Sequence, residues 1–560
     1  MDPLPLPIVD LGFGPYPHDV VSKRFPVFTR GNAGEVYPEA TYPFSMSWAR
    51  LAQDPFKRAL INGGGLSEAD FEGEPRAGVT AGVFSGYSYL NLSVTRRIAV
   101  RAPGVTPDEI DAALLGTEAG APPHEIGPGD RNPIRTLGLL KNTLTAMRAT
   151  SLPELDADKA HARRLRRDEE WVRAATDDQL VARIADLLPI AIGMFERHLM
   201  VSGHAAGAVV LLRRQVEKIL GDPAPAMTLL SGIGDVESAD PARRLWALSR
   251  LDAGTPEFDS TFAAFLDVHG GRGPNEWEMA CPTWGTQPEM ALALVDRLRA
   301  GDDEQSPASR DRALSESRRQ ALDQIHANTN RFQRSGFERA LRFATVYSQG
   351  RERAKTTVIN VIHQQRLAAT ELGRRLAERA GTGDGTDLWY CYHHELDEVR
   401  ADPAAFVDTA ASRRATRDEL AARIPPFVFD GEIPPPTEWE RRDEQVLDAV
   451  DEGTVLTGTS GGSGTATGVA RIVTDPGQAA DLGPGTVLVA PHTDPAWTPL
   501  FLGVDAVVVN VGGQMSHAVI VARELGLPCV VAVDGATLKI PDGATITVDS
   551  AAGTVRVESH

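Results

Sequence analysis

Apolar residues recur through the middle of the chain at the three- and four-residue spacing of amphipathic helices. Between about residues 105 and 260 this spacing is clearest over 177–198 and 205–219, and glycines near 202–207 predict a break between two helices. Residues 310–380 show the same spacing with many arginines and alanines, which predicts two long helices. The central part of the chain is therefore predicted to be largely helical.

The C-terminal part of the chain follows a different pattern, with short valine-rich runs between glycines and prolines. Residues 504–509 are almost entirely apolar, which predicts a strand buried inside a sheet. Residues 518–525 then have helical spacing, and Gly526 and Pro528 end this helix. The alternation predicts a C-terminal α/β domain over residues 453–560 and a multidomain α+β fold for the whole chain.

The loop between this strand and this helix holds candidate chemistry. It reads Gly-Gly-Gln-Met-Ser-His over residues 512–517, and Ser516 is a good N-cap residue, so His517 takes the first helical position. Unpaired N–H groups and the helix dipole disfavour imidazolium there and leave neutral imidazole, a nucleophile. The same field stabilises an anion on the ring, which suits a histidine that accepts and passes on a phosphoryl group. A capping-loop histidine without chemistry fits the spacing equally well.

Two loops and one helix in the middle of the chain hold charged candidates for binding phosphate or substrate. Arg30 and Glu35 lie among glycines in the first loop, where an ordinary turn with a surface ion pair is the alternative. The second loop has Arg272 followed by Glu276 and Glu278. In an extended segment, this two-residue spacing would point both carboxylates to one side.

On the second predicted long helix, Arg351 and Lys355 are four residues apart and can converge on one anion from the same face. Arginine offers a planar fork for phosphate oxygens, and lysine offers a mobile charge. The alternative is a solvated basic face on which these cations pair with Glu352. No Cys, His or carboxylate group has metal-ligand spacing, so no metal site is predicted in this chain.

The segment around His517 resembles the phosphohistidine motif in the swivelling domain of PEP-utilising enzymes. The similarity follows the pattern Gly-Gly-x-x-Ser-His-x-x-Ile-x-Ala-Arg-Glu-x-Gly-x-Pro and continues through residues 485–489, 493–501 and 541–549. It implies that His517 carries the phosphoryl group. It also implies that four residues support its loop: Gly512, Gly513, Ser516 and Arg523.

The middle of the chain is similar to the substrate-binding domain of rifampin phosphotransferase-like enzymes. The similarity rests on the Arg30 loop, on Arg-Gly-Pro in the second loop and on Arg-Glu-x-x-Lys in the long helix. It implies a phosphate-handling role for Arg351, Glu352 and Lys355. It departs at Gly271, where related enzymes often carry histidine, so no proton-transfer role is carried over to that position.

The prolines of residues 424–452 predict a stiff linker between a substrate-binding domain (1–423) and the swivelling domain (453–560). The sequence shows no Walker motif and no ATP-grasp domain, and only about 28 residues precede the Arg30 loop. The resemblance therefore implies that a separate ATP-grasp protein, similar to the ATP-binding part of pyruvate phosphate dikinase, binds ATP and Mg²⁺. This chain is expected to bind no cofactor itself.

The predicted function is that of a dikinase-type phosphotransferase subunit. His517 accepts a phosphoryl group from ATP on the partner and passes it to a hydroxyl of a small-molecule acceptor. The alternative is a non-catalytic relative that binds a small apolar hydroxylated ligand. The presence of His517, Arg351 and Lys355 in one chain favours the enzyme.

Composition and charge bear on the partners and the cellular location of the protein. A net charge of −19 argues against nucleic acid or an anionic membrane as a partner. The three cysteines lie far apart, as expected in a reducing cytoplasm. Neither a signal peptide nor an apolar run of membrane-spanning length is found in the sequence. The protein is therefore predicted to be cytoplasmic.

Overall fold

The computed structural model describes residues 7–115, 120–231, 233, 240–299, 306–444, 448–462, 464–474, 482–493, 497–498, 500–513 and 516–560. Among these residues we find no helix with both the length and the apolar character that crossing a membrane requires.

The N-terminal part of the chain combines short strands with short helices. A two-stranded antiparallel ribbon consists of β1 (Ile8–Asp10) and β2 (Pro15–Pro17). An antiparallel sheet is built from β3 (Val27–Thr29), β4 (Ala81–Phe84), β5 (Tyr87–Asn91) and β6 (Val428–Asp430), in the order β4-β5-β3-β6. The helices of this part are α1 (Ala33–Val36), α2 (Pro43–Leu51), α3 (Gln53–Asn62), α4 (Leu92–Arg101) and α5 (Pro107–Leu115).

β6 lies inside the segment predicted to be a linker, yet it pairs with β3 in the N-terminal sheet. Ile433 and Trp439, which follow it, are buried in one core with Phe28 and Tyr87. These apolar side chains complete the core of the sheet, and the N–H of Arg442 donates to the carbonyl oxygen of Ala422. The proline-rich segment is therefore folded onto the preceding part of the chain as far as Arg442, and a spacer can begin only after this residue.

The middle of the chain is helical, as predicted, and two helices form its axis. α9 (Asp177–Leu220) has 44 residues and α15 (Arg331–Ala380) has 50, and they pack along each other. The other helices are α6 (Pro133–Ala146), α7 (Pro153–Leu165), α8 (Glu169–Ala174), α10 (Pro225–Leu229), α11 (Asp240–Ser249), α12 (Pro256–His269), α13 (Pro288–Leu298), α14 (Pro307–Ala327), α16 (Leu396–Ala401) and α17 (Pro403–Ala421). α14 and α15 confirm the two long helices predicted over residues 310–380.

The predicted break near residues 202–207 is wrong, because α9 continues through it. Gly203 and Gly207 lie inside the helix, and a Cβ added at either position would meet no neighbouring atom. A glycine costs a helix only about 1 kcal/mol relative to alanine. The buried face that α9 shares with α15, which includes Leu180 and Ile184, outweighs this cost.

The C-terminal domain is built on one eight-stranded sheet, within the range predicted for it. Its central strands β9, β10, β11 and β12 are parallel, and β10 and β11 are fully buried, as predicted for 504–509. The strands are β7 (Val455–Thr457), β8 (Thr459–Ser460), β9 (Thr465–Ile472), β10 (Thr486–Ala490), β11 (Ala506–Val509), β12 (Cys529–Val531), β13 (Thr545–Asp549) and β14 (Thr554–Ser559), in the order β7-β14-β13-β9-β10-β11-β12-β8. Two helices accompany the sheet: α18 (His517–Leu525) and α19 (Ala536–Lys539).

The C-terminal domain and the helices α11 to α13 are joined by one hydrophobic core, called here the shared core. Phe265 and Trp284 enter it from the helical side, and Trp497 and Phe501 enter it from the C-terminal domain. Arg310 on α14 also donates hydrogen bonds to the carbonyl oxygens of Phe501 (3.1 Å) and Leu502 (2.7 Å). This docked arrangement sets the beginning of α18 against the helical domain.

Candidate functional site

His517 occupies the first position of α18, as the sequence predicts. Ser516 is its N-cap, with extended backbone angles and a side-chain oxygen that accepts the N–H of Val519. A Cβ added to Gly512 would lie 3.2 Å from both Ser516 Oγ and Val531 Cβ, so glycine allows the loop to pack closely. The other predicted loop residues, Gln514 and Met515, lie outside the described residues, as do residues 494–496 and 499 of the upstream similarity.

The imidazole of His517 is held between two threonines. Thr493 Oγ1 lies 3.3 Å from Nδ1, and Thr498 Oγ1 lies 3.2 Å from Nε2. Burial, with Lys355 and Arg272 nearby, lowers the pKa of His517 well below its ordinary value. The ring is therefore neutral and keeps a lone pair on one nitrogen. The two threonines were not predicted as site residues, although both lie in the segment that carries the resemblance.

An ion-pair network from the helical domain lies close to His517. Nη1 of Arg272 lies 2.9 and 3.0 Å from the two carboxylate oxygens of Glu276, and Lys355 Nζ lies 3.1 Å from Oε1. Arg272 also donates to the hydroxyl of Thr356 (2.6 Å). Burial alone would raise the pKa of Glu276, but Arg272 and Lys355 outweigh it and lower that pKa. Glu276 is thus an ionised carboxylate neutralised by two cations.

The prediction that Glu276 and Glu278 point to the same side is wrong. The Glu278 carboxylate faces the N-terminal part, where it accepts the hydroxyl of Ser45 and the N–H of Tyr42 (3.2 Å). The backbone turns here instead of being extended, and Asn275 has a left-handed φ of 51°. Glu278 therefore ties the loop to α2 and takes no part in the cluster around His517.

Arg351 and Lys355 converge, as predicted. Both lie close enough to Glu35 and to His198 to lower the pKa of the carboxyl and of the imidazole. Their side chains are only 17% and 18% exposed, which does not fit a solvated basic face. Glu352 lies beside Arg351 (3.9 Å from its Nε) and is buried. Its charge contributes to the raised pKa of Glu524 on α18, so it lies near the contact between the domains.

Glu35 lies near the beginning of α18, although it belongs to the N-terminal part of the chain. The backbone N–H groups of Gly513 and His517 act to lower the pKa of its carboxyl. Burial raises the pKa of Glu35 to about 7, although Arg351, Lys355 and these N–H groups oppose the rise. No local pattern in the sequence indicates this contact, which joins residues almost 500 positions apart.

Arg30 does not join the cluster. Its guanidinium donates to the carbonyl oxygens of Tyr37 (2.9 Å) and Pro38 (3.0 Å) and lies over the ring of Tyr87. It therefore closes the turn that carries Glu35. Arg523 lies on α18 beside Glu524, where burial lowers its pKa to about 10 and Arg351 acts in the same direction.

The site thus brings one neutral histidine together with cations of the helical domain. Arg272 and Lys355 lie near the imidazole, and Arg351 acts together with Lys355 on the carboxyl of Glu35. Such a set can bind a polyanionic group on the imidazole, because charge-assisted hydrogen bonds to phosphate oxygens are strong. Over the described residues, no group of His, Cys, Asp and Glu side chains is arranged to hold a metal ion.

Comparison with protein families identifies two parts of the chain. Residues 482–553 match the family described as PEP-utilising enzyme, mobile domain, and this match contains His517 and its loop. Residues 247–352 match the rifampicin phosphotransferase fourth domain, and this match contains Arg272, Glu276 and Arg351. The two halves of the site therefore correspond to two domains that are known separately.

Individual proteins are similar over longer stretches. An uncharacterised protein of Mycobacterium tuberculosis is 30% identical over 587 residues, covering 96% of this chain and 62% of the relative. A rifampicin phosphotransferase of Streptomyces sviceus is 27% identical, covering 64% of this chain and 40% of the relative. A prodigiosin-synthesizing transferase of Serratia marcescens is 24% identical, covering 99% of this chain and 65% of the relative. This chain thus spans less than two thirds of the length of each relative.

The family matches agree with the geometry of the site. His517 lies in the mobile domain, and the cations that face it lie in or next to the rifampicin phosphotransferase-type segment. One chain thus contains a segment similar to the mobile domain of the PEP-utilising enzymes and a segment similar to the fourth domain of rifampicin phosphotransferase.

Proposed function

We propose that this chain transfers a phosphoryl group from His517 to a hydroxyl of a small-molecule acceptor held by the helical domain. The observation that carries the proposal is that the C-terminal domain packs against the helical domain with the neutral imidazole of His517 near Arg272 and Lys355. A phosphoryl group on this ring would enter a site that already contains the cations it needs.

In the first half-reaction, His517 attacks the β-phosphorus of ATP and displaces AMP. Water then cleaves the bond between the β- and γ-phosphorus and releases phosphate, which leaves the β-phosphoryl group on the imidazole. ATP and Mg²⁺ are bound by an ATP-grasp protein separate from this chain. The mobile-domain match supports this division of labour, because such a domain carries a group between two sites. Residues between Arg442, which is still bonded to Ala422, and the first strand of the C-terminal domain would allow this movement.

In the second half-reaction, the C-terminal domain docks as the structure shows it. At the transition state, charge spreads over the equatorial oxygens of the phosphoryl group, and Lys355, Arg351 and Arg272 stabilise that charge. Glu276 holds Arg272 and Lys355 in position through its ion pairs. The cations therefore act mainly in transfer to the acceptor and not in loading of the histidine.

We also propose that the acceptor has an aromatic or apolar body. The names of the relatives, which mention rifampicin and prodigiosin, support this class. Trp277, whose ring centroid lies 6.3 Å from that of His198, is itself part of the buried core with Trp48, so it backs the site and does not line it.

The test of the proposal follows the phosphoryl group. ATP labelled with 32P at its β-phosphate is mixed with this protein and with candidate ATP-grasp proteins from the same genome. We expect label on the wild type and none on His517→Ala. His204→Ala is the matched control, because that ring bonds only to the carbonyl of Met200 among the described contacts. Equal label on His517→Ala and the wild type would refute the proposal.

The alternative function, binding of a hydroxylated ligand without chemistry, makes a different prediction. It requires no particular arrangement of His517, Arg351 and Lys355, whereas the docked arrangement brings all three to Glu35. This convergence supports the enzyme. Ligand binding without any phosphorylated product, measured with the ATP-grasp protein and ATP present, would support the alternative.

A further inference from the structure

One side of α6 packs closely onto the turn that follows α3. Asn142 donates to the carbonyl oxygen of Asn62 (2.7 Å), and a Cβ added to Gly138 would lie 3.1 Å from the carbonyl oxygen of Gly64. The helix is therefore held to the protein through a glycine and a polar side chain. A surface helix of a globular protein usually has the reverse orientation, with its apolar side against the core.

The opposite side of α6 carries an apolar stripe, which consists of Ile134, Leu137, Leu140 and Leu144. These four side chains are between 42% and 75% exposed, and no described residue of the chain covers them. Since each residue of an α-helix turns the chain by about 100°, the three leucines lie within about 60° of one another around the axis. A contiguous apolar surface of this kind marks an interaction site.

Basic residues accompany the apolar stripe. Residues 131–153 contain no Asp or Glu but contain Arg131, Arg135, Lys141 and Arg148, whereas the whole chain has a net charge of −19. Arg131, Lys141 and Arg148 are exposed. The apolar stripe is thus set in a positive surface on an acidic protein. A complementary partner has an apolar groove with acidic residues at its rim.

Charge and size argue against two other occupants of the apolar stripe. Two copies of this chain that met through α6 would bring two basic surfaces together. An anionic membrane is opposed by the net charge of −19. The stripe is also only about 15 Å long and contains neither Trp nor Tyr, the residues enriched at membrane interfaces. A groove on an acidic protein fits its length and its charge.

We propose that the apolar stripe of α6 is the docking site of the ATP-grasp protein that loads His517. This inference rests on the proposed function and gives its partner a defined place on this chain. The partner contributes an apolar groove that accepts the three leucines and acidic side chains that face Lys141 and Arg148.

The location of α6 explains why a loading protein would bind there. Among the described residues of α6, none belongs to the shared core, whose two surfaces separate when the C-terminal domain leaves the helical domain. A partner bound to α6 therefore stays on the chain while α18 moves. Such a tether makes each loading step intramolecular and raises the effective concentration of His517 at the ATP site.

The experiment measures how the loading rate of the full-length protein depends on partner concentration. The probes are ATP labelled with 32P at its β-phosphate and each ATP-grasp protein from the same genome. The variants are the double replacement Leu137→Glu with Leu144→Glu, and Lys141→Gln. Phe332→Glu is the matched control, because this side chain is 87% exposed on α15. Labelled phosphoramidate, which needs no protein partner, reports whether His517 still reacts.

We expect the double variant to raise the half-saturating concentration of ATP-grasp protein by about 100-fold, because central contacts carry most of the binding energy of an interface. Its loading rate at saturation and its reaction with phosphoramidate should match the wild type. Added salt should raise the half-saturating concentration for the wild type, and less for Lys141→Gln, since salt screens charge attraction. Phe332→Glu should match the wild type in every measurement.

Equal half-saturating concentrations for the double variant and the wild type would overturn the inference and leave the proposed function standing. If no ATP-grasp protein loads the wild type, the proposed function fails, and the inference fails with it. Sedimentation tests the other occupants. A dimer that the double variant dissociates would assign the apolar stripe to a second copy. Binding to phosphatidylglycerol vesicles that this variant loses would assign it to a membrane, and either result overturns the inference.

Discussion

Lys355 Nζ lies 3.1 Å from Oε1 of Glu276, and this ion pair links α15 to the loop that carries Arg272 beside His517. Glu276 is almost fully buried, so the two cations depend on it for compensation of their charge. The pair therefore determines both the stability of the site and the position of its positive charges.

Replacing Glu276 with glutamine should destabilise the protein by about 3 kcal/mol, because removal of one partner leaves buried charges uncompensated. Urea unfolding of the full-length protein measures this change. Glu338→Gln is the control, since that carboxylate is 55% exposed and pairs with Arg334 at the surface. Equal stability of the two variants would mean that solvent or another carboxylate compensates Arg272 and Lys355.

Arg351→Ala and Lys355→Ala should still accept label on His517 but transfer it to acceptor about 100-fold more slowly. Losing one donor that stabilises the transition state costs roughly 3 kcal/mol. Quench experiments after loading separate the two half-reactions. Arg353→Ala is the matched control on the same helix, because its guanidinium pairs with Asp156 (2.8 Å). Wild-type transfer by the first two variants would place the acceptor site elsewhere.

Thr498→Val should slow the loading of His517 by about tenfold, because it removes the hydroxyl 3.2 Å from Nε2 at nearly constant side-chain volume. Thr493→Val should do the same at Nδ1, where the distance is 3.3 Å. The 15N chemical shifts of the imidazole report which nitrogen carries the proton in each variant. Unchanged shifts and rates in both would show that the hydroxyls do not orient the ring.

Glu524→Gln should stabilise the protein at pH 8 by about 2 to 3 kcal/mol and have little effect near pH 4.5. Burial in the domain contact, with Asp311 and Glu352 nearby, raises the pKa of Glu524 to about 7. The folded state therefore binds more protons than the unfolded state between about pH 4.5 and 7, so this group lowers stability as pH rises through that range. Thermal unfolding at several pH values measures the effect, and a gain independent of pH would contradict it.

The local features of the site were predictable from the sequence because they depend on neighbouring residues. Ser516 as N-cap, His517 as first helical residue and the spacing of Arg351 and Lys355 are set within one or two turns of a helix. The long-range features were not predictable. The sequence around Gly203 does not indicate that packing keeps the helix continuous there. Likewise, nothing near Glu35 indicates a neighbour in the C-terminal domain.

Glu278 and Arg30 are the opposite case, because the sequence makes them candidates and the structure places them outside the cluster around His517. Their residue types and glycine-rich surroundings resemble those of site residues, yet Glu278 binds Ser45 and Arg30 binds the carbonyl oxygen of Tyr37. Charged side chains in loops either fix the loop or face the substrate. Only the tertiary contacts of the backbone distinguish the two cases.

The shared core has a consequence for the order of events. α18 begins at His517 and contributes Ala518 and Ala522 to that core, so the reactive ring and the apolar contact lie on one surface of the C-terminal domain. Under the proposed function, a partner that loads His517 would have to displace the helical domain from this surface. Loading and delivery would then exclude each other in time on any one molecule.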